Sequence, residues 1–578
     1  MIYVRPAICG FLLLAVVLLR PAGAASQSPS VALSSEDSLR ELRAARRAQA
    51  GFESFRRARF PWAWNSGGVR CDERVGRFCL QHDDPEAPEW KPKPEPPEVG
   101  ARRERLLGQL ASAAAALPGD GWIAGQRVRY LLEAGDTTGS LRAAEECRAE
   151  PVTCAALEGY ALHTAADFAA ADSAFAVALR AMEPERRREW TDLTELLDPG
   201  ERRRYRRLGD TEKAALERRF WWLADPLWSV PGNERRSEHY ARLVMASLQD
   251  RARQPEGLSW GDDLQELLVR YGWPVGWERE RPPLHRPGSS PSIISHYAPG
   301  SSAFDPSLRM VRDSALDVDE WDLDDERART EYAPAYARSF SPLRQQTARF
   351  RRGDTAVVVV GWAFSHDSLS ISAPVEVALV LASPGSDATV VRRPAVAGGG
   401  GLAARSTRPP EMVGVEVVAR EERRVGRARF TLDPLPPLDP ARRGMSDLLL
   451  LRPDATLPDG LEAAVPLARS DTRVAISERT GVFWEVYGAG DREANFELAL
   501  EPLREGWLAR TATGLGLRSP PSAVRLRWRE RLPAGTVAPR AVSLDVSDVR
   551  PGRYLLRITT VPAGGGVLSS ELPIEVER

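Results

Sequence analysis

The sequence predicts a multidomain α+β protein: an N-terminal helical-repeat region, a central α+β domain and two C-terminal immunoglobulin-like β-sandwiches. Three observations carry this. The 578 residues exceed what one core holds, since single cores stop growing near ~250–300 residues. Between Arg102 and Met182 the chain reads as short amphipathic helices. Beyond Asp354 the pattern switches to alternating, β-branched runs.

At the N-terminus, "MIYVRPAICGFLLLAVVLLRPAGAASQS" sets a basic Arg5 before an apolar run from Ala7 to Leu19, then Ala22-Gly23-Ala24. That is the layout of a secretory leader over 1–24, too short for a membrane span of ~20 residues. No later segment is long and apolar enough to span, so the expectation is an exported protein, periplasmic or extracellular. Acidic and basic residues nearly cancel, leaving a net charge of −1, and no global field draws the chain to nucleic acid. The basic residues are almost all arginine, with lysine only at 91, 93 and 213. Four cysteines follow the leader: Cys71, Cys79, Cys147 and Cys154. In an oxidising compartment an even number favours disulfides. Near-neighbour pairing, Cys71–Cys79 and Cys147–Cys154, is preferred among three connectivities. Neither spacing suits zinc.

Residues 25–100 are expected to form a charged helix over Glu36–Arg59, a cysteine-closed loop and a stiff polyproline connector, "DDPEAPEWKPKPEPPEV". Over 101–200, "CAALEGYALHTAADFAAADSAFAVALRAM" resembles a tetratricopeptide repeat. Gly159, Ala171 and Ala178 are the small residues where two helices touch, and Phe175 fills the gap. A looser copy, "RVRYLLEAGDTTGSLRAAEEC", precedes it by about one repeat length.

The β region divides into sandwiches at 345–455 and 468–578, joined through "RPDATLPDG". In "VRLRWRERL", Val524, Leu526 and Trp528 alternate with arginines, which predicts a strand with one buried face. "LDVSDVRPGRYLLRITTV" sets a Pro-Gly turn before a strand carrying Tyr554, like a late hairpin of an immunoglobulin-like sandwich. The tetraglycine Gly398–Gly401 lacks the Lys and Ser/Thr of a phosphate loop and is expected to be a loop between strands. No motif calls for a cofactor.

The centre, 201–340, holds the most distinctive residues. Asp225-Pro226 breaks an incoming helix, and Asn233 is suited to cap the next one. Phe220-Trp221, Asp225-Pro226, Asn233-Glu234, Glu238-His239, Ser259-Trp260-Gly261-Asp262-Asp263 and Tyr271-Gly272-Trp273-Pro274 follow in order. This series resembles the GWxTD-domain family of exported bacterial proteins over about 201–300. Ser259 stands where the family has Gly and Asp262 where it has Thr; Trp260 and Asp263 are kept. The resemblance implies a fold and an exported location. It implies no reaction, because the family has no established activity to transfer.

Every residue of the series has a structural reading. Asp262 or Asp263 can cap the helix "DLQELLVRYG", Gly272 can end it, and Pro274 bars its continuation. The catalytic alternative pairs Asp262 or Asp263 with Glu234 or Glu238 for glycoside hydrolysis. A metal site from Glu234, Glu238 and His239 lacks the H-E-x-x-H pattern, and Glu238 with Arg242 is a favourable i,i+4 pair. His296 and His366 lie near serines, but no G-x-S-x-G occurs. The expectation is a non-catalytic binding or scaffolding protein whose partners are proteins of the cell envelope. The alternatives are an envelope hydrolase of glycan or peptide, and a carbohydrate binder using Trp62, Trp64 or Trp228.

Overall fold

The computed structural model describes residues 34–63, 71–81, 90–281, 291–313, 321–325, 327–364, 374–395, 398–439, 442–503 and 524–578. The expected leader, Trp64, His366 and part of the proline-rich segment lie outside these. The chain is mixed α and β, helical first and β afterwards. Among the described residues no helix is long and apolar enough to cross a membrane.

Helices α1 (Ser35–Arg57), α2 (Pro97–Ala116) and α3 (Gly121–Glu133) bury Phe52, Leu106, Leu110, Ile123 and Tyr130 against one another. The helix expected over 36–59 therefore belongs to the same body as the helices after it. Next come α4 (Thr137–Glu145), α5 (Pro151–Thr164) and α6 (Phe168–Ala181). Aspartates at 120, 136 and 167 accept a backbone N–H at the starts of α3, α4 and α6, which fixes where each begins. A Cβ on Gly159 would lie 2.8 Å from the Phe175 ring, so α5 and α6 approach closely only because Gly159 has none. The disulfide Cys147–Cys154 closes the turn between α4 and α5, and Cys71–Cys79 closes the hairpin of β1 (Glu73–Val75) and β2 (Phe78–Leu80).

The described part of the proline-rich segment, from Trp90 onward, is docked instead of spanning open space. Trp90 stacks on His296 at 3.9 Å, and Lys93 pairs with Glu278 at 2.7 Å. Both targets belong to the hairpin of β3 (Gly276–Glu280) and β4 (Ser292–His296).

Helices α7 (Pro184–Thr191), α8 (Pro199–Tyr205), α9 (Asp210–Ala224), α10 (Glu234–Asp250), α11 (Asp262–Tyr271) and α12 (Leu308–Arg312) make the centre. The α10 face carrying Tyr240, Ala241, Val244 and Leu248 packs into the core of α3–α6. The boundary expected at residue 200 is thus bridged by a shared helix.

The first β body holds β5 (Ser339–Arg352), β6 (Thr355–Phe364), β7 (Val375–Ala382), β8 (Thr389–Ala395), β9 (Gly400–Ser406), β10 (Met412–Ala419) and β11 (Arg424–Thr431), in the order β8-β7-β10-β11-β5-β6-β9. β5 serves two neighbours along its length. It is parallel to β11 at Ser339–Pro342 and antiparallel to β6 from Leu343. That switch curls the sheet until β8 and β9 touch. The tetraglycine is not simply a loop, because β9 begins at Gly400. A Cβ on Gly401 would lie 1.7 Å from the Val465 carbonyl, and one on Gly361 2.0 Å from that of Arg469. These glycines admit a crossing segment against the sheet.

The second β body begins earlier than expected. β12 (Gly444–Met445) and β13 (Leu449–Pro453), assigned from sequence to the first body, pair with β15 (Arg479–Tyr487) in the second. Burial of Leu448 and Leu450 in the second core is the physical reason. On its other side β15 pairs with β18 (Val537–Asp545). The facing sheet is β14 (Arg473–Ala475), β20 (Leu568–Glu577), β19 (Gly552–Pro562), β16 (Glu493–Pro502) and β17 (Val524–Arg531), in that order. Contrary to the buried face expected of β17, Val524 and Leu526 are 39% and 51% exposed. Only Trp528 reaches the core, stacked on Phe496 at 5.2 Å.

Candidate functional site

The central motif residues converge on α9–α11. Helix α9 ends at Ala224, immediately before Asp225-Pro226. Asn233 then does two jobs: its Oδ1 accepts from Arg236 N at 2.8 Å, capping α10, and its Nδ2 donates to the Trp221 carbonyl at 2.6 Å. The Asp225-Pro226 turn is clasped from the first β body. Arg429 donates to the carbonyls of Leu223 and Asp225, and Glu416 accepts from the N–H groups of Trp228 and Ser229. Burial pushes the Asp225 carboxyl well above its ordinary range, against the pull of Arg429.

Glu234 is 1% exposed and accepts from Tyr332 at 2.6 Å and Tyr336 at 2.8 Å. Burial raises its carboxyl to about 7 against those two hydrogen bonds. Glu238, one turn on, accepts from Arg242 Nε at 2.7 Å and lies 2.7 Å from His163 Nε2. Burial opposes its ionisation, but Arg242 and His163 together hold it well below the usual carboxylate range. His239 lies against Trp221 and Tyr240. Burial, then Arg235 and Arg242, depress its pKa to about 3, so the ring is neutral. Glu234, Glu238 and His239 therefore face different partners, and among the described residues no group of three or more His, Cys, Asp or Glu is placed to hold a metal.

Arg242 ties these residues to the Tyr-Gly-Trp-Pro turn. Its guanidinium donates to the carbonyls of Val269, Arg270 and Glu331 at 3.0, 2.9 and 2.8 Å. The first two are terminal carbonyls of α11, which have no intrahelical donor. Gly272, at φ 84°, turns the chain there, and a Cβ would stand 3.3 Å from the same guanidinium. Pro274 follows, buried. Glu238 orients Arg242, and Arg242 caps α11.

The other end of α11 is held by the disulfide-closed hairpin. Gly261 occupies the N-cap, so neither Asp262 nor Asp263 caps the helix as expected; both sit in its first turn, where the dipole favours acid. Asp263 accepts from the Arg77 backbone N–H at 3.1 Å and from Arg77 Nε and Nη2, each at 2.7 Å. Those bonds hold its pKa at about 2. Asp262 is exposed. From the same hairpin Glu73 grips Arg270 bidentately at 2.8 and 2.7 Å. Tyr271 accepts from Arg270 at 2.7 Å. Trp260 and Trp273 pack half-buried on Met245, Ala246 and Leu268.

For the acid–base pairing this geometry is unhelpful. Glu238 meets α11 through Arg242 at its C-terminus, whereas Asp263 lies at its start, about 10 Å away along the axis at ~1.5 Å per residue. Neither a surface groove of about 370 Å³ beside Glu376, Arg392 and Arg420 nor a cavity of about 110 Å³ between Phe60, Trp90 and Trp277 is lined by any of the four carboxylates. Of the tryptophans read as sugar platforms, Trp228 is buried between Trp222 and Arg429. Trp62 is 41% exposed, with Arg279 over its ring.

Sequence reasoning missed four contributors: His163, Arg77, Tyr332 and Tyr336. His163 also places Nδ1 2.9 Å from Ser237 Oγ, which aligns a serine, a histidine and a glutamate. Ser237 is fully buried and donates to the Glu234 carbonyl at 3.0 Å, so its hydroxyl is no exposed nucleophile. These partners lie 74–186 residues from the residues they hold, and no local signal announces them.

No protein-family model and no curated protein matches the chain. Among solved structures it is similar to red sea bream transglutaminase, at 11% identity and a TM-score of 0.14 over 41% of this chain and 31% of that one. It is also similar to a beta-glycosidase from Bacteroides vulgatus, at 11% identity and a TM-score of 0.12 over 45% of this chain and 28% of that one. The chain thus spans less than a third of either protein, and such scores identify no shared fold.

Proposed function

We propose that this is an exported, non-catalytic binding or scaffolding protein of the bacterial cell envelope, with a GWxTD-like centre acting as a junction. One observation carries the reading: Glu234, Glu238 and Asp263 are each engaged by partners that hold helices and β strands together. A catalytic acid or base must instead meet substrate within hydrogen-bond reach. The hairpins α3–α4 and α5–α6 support a tetratricopeptide-like region, which commonly holds proteins. Tyr554, whose hydroxyl donates to the Arg550 carbonyl at 2.9 Å, supports an immunoglobulin-like reading of the second β body. Two disulfides accord with an oxidising destination.

The test is crosslinked co-purification from the native envelope fraction, comparing wild type with Asp262→Ala/Asp263→Ala. The expected result is one and the same protein partner with both, the variant being folded. Absence of any protein partner, with glycan retained by wild type alone, would replace this reading with a hydrolase.

A further inference from the structure

We infer that the outer edge of β17 is a strand-addition site for an extended protein segment in which acidic and apolar residues alternate. β17 ends its sheet, and among the described residues nothing pairs with its far side. An edge strand presents unpaired backbone N–H and C=O groups that a further strand can satisfy. Its two faces specify what that strand must carry.

On one face Arg525, Arg527, Arg529 and Arg531 form a row. β16 and the turn before it already answer this row from one side: Arg525 meets Glu501 at 3.3 Å, Arg527 meets Glu497 at 2.8 Å, Arg531 meets Asp491 at 3.0 Å, and Arg529 pairs with Glu493. The four guanidinium side chains remain 55–71% exposed. Each carries five donors and spends only a few on its carboxylate. A strand laid on the free edge with acids every fourth residue on the arginine face would repeat the β16 pattern of Glu493, Glu497 and Glu501 on the other side.

The opposite face carries Val524 and Leu526, which lie across from Leu500 and Leu498 of the core but are themselves exposed. They overhang because the facing sheet is narrower: β12 and β13 share one side of β15 and β18 takes the other. Apolar residues on the added strand would cover them.

A second copy is a poor occupant, since β17 against β17 sets arginine row against arginine row. The row thus guards against self-pairing while selecting for acid. β16 itself shows the wanted pattern, with Glu493, Glu497 and Glu501 between Phe496, Leu498 and Leu500.

The biological use of this site rests on the binding reading above. The probe is a labelled peptide of sequence EANFELALEP, titrated into the full-length protein by fluorescence anisotropy. A control peptide has lysine for each glutamate. Expected are saturable binding, at least tenfold weaker binding of the lysine peptide, a similar loss in Val524→Lys/Leu526→Lys, and slowed hydrogen exchange at β17 with β16 unchanged. No saturable binding at millimolar peptide, equal binding of both peptides, or protection elsewhere would overturn the inference. So would a dimer of the wild type that the double variant dissolves. The lysine peptide is read on wild-type protein, so that arm does not depend on the variant folding. An envelope partner captured equally by the double variant would sink the β17 site and leave the binding reading standing. Peptide binding without any captured partner would do the reverse.

Discussion

At the residue scale, Arg242 bears the most consequences. Its side chain is 4% exposed, joins Glu238 and donates to three carbonyls. Removing one partner of a buried ion pair costs about 3–5 kcal/mol, because the other charge is left uncompensated. Arg242→Ala is expected to lose stability on that scale in urea unfolding. Arg242→Lys should recover less than half, since an ammonium cannot reach three carbonyls in a fixed fork. Glu234 makes a pH prediction. With its folded pKa raised from 4.5 to about 7, the native state keeps a proton that the unfolded chain releases. Its contribution is fully present below pH 4.5 and is lost as pH rises through 7. A shift of that size corresponds to about 3 kcal/mol. Burial raises the carboxyls of Asp225 and Glu53 as well, so the difference between wild type and Glu234→Gln isolates the effect. The variant's stability should fall less across that window. Parallel curves would disprove it.

At the element scale, the helix boundaries follow from local chemistry that the sequence displays. Asp225-Pro226 ends α9, Asn233 starts α10, and Gly272 ends α11, all at residues that can be named without a structure. What holds those elements together was not legible. Asp263 is bound by Arg77, 186 residues earlier, and only the folded chain brings them together. Alternation in "VRLRWRERL" correctly separates two faces of β17. Whether the inner face is covered depends on the width of the opposite sheet, which no local pattern encodes. The same limit applies to Leu448–Leu451, since a run of leucines does not say which core takes it: Leu448 and Leu450 enter the second β core, and Leu449 and Leu451 meet β5 and β6 of the first. The Cys147–Cys154 clamp gives an element-scale prediction. Closing a short loop is worth about 2–2.5 kcal/mol in the chain-entropy description. Cys147→Ser/Cys154→Ser should be destabilised by that amount in thermal unfolding, with faster hydrogen exchange at the α4–α5 turn.

At the scale of the whole molecule, apolar cores cross each boundary that the sequence suggested within the described residues. α10 completes the core of α3–α6. The outward faces of β7 and β10, with Val380 and Met412, pack on Phe220 and Trp228. β5 and β6 pack Phe350 and Val359 against Leu449, Leu461 and Phe483 of the second β body. The helical region is thus unfinished without the centre. A fragment of residues 34–200 is expected to lack a cooperative thermal transition and to regain one when extended through α11. A sharp transition in the short fragment would show the helices to be self-sufficient.

The claim that the central acids hold the fold together is tested most directly by a double-mutant cycle on Glu238 and Arg242, read by urea unfolding. The account predicts a coupling of at least about 2 kcal/mol, within the ~0.5–3 kcal/mol known for residues in one network. Coupling near zero, with Glu238→Gln as stable as wild type, would contradict it and leave Glu238 free for some other task.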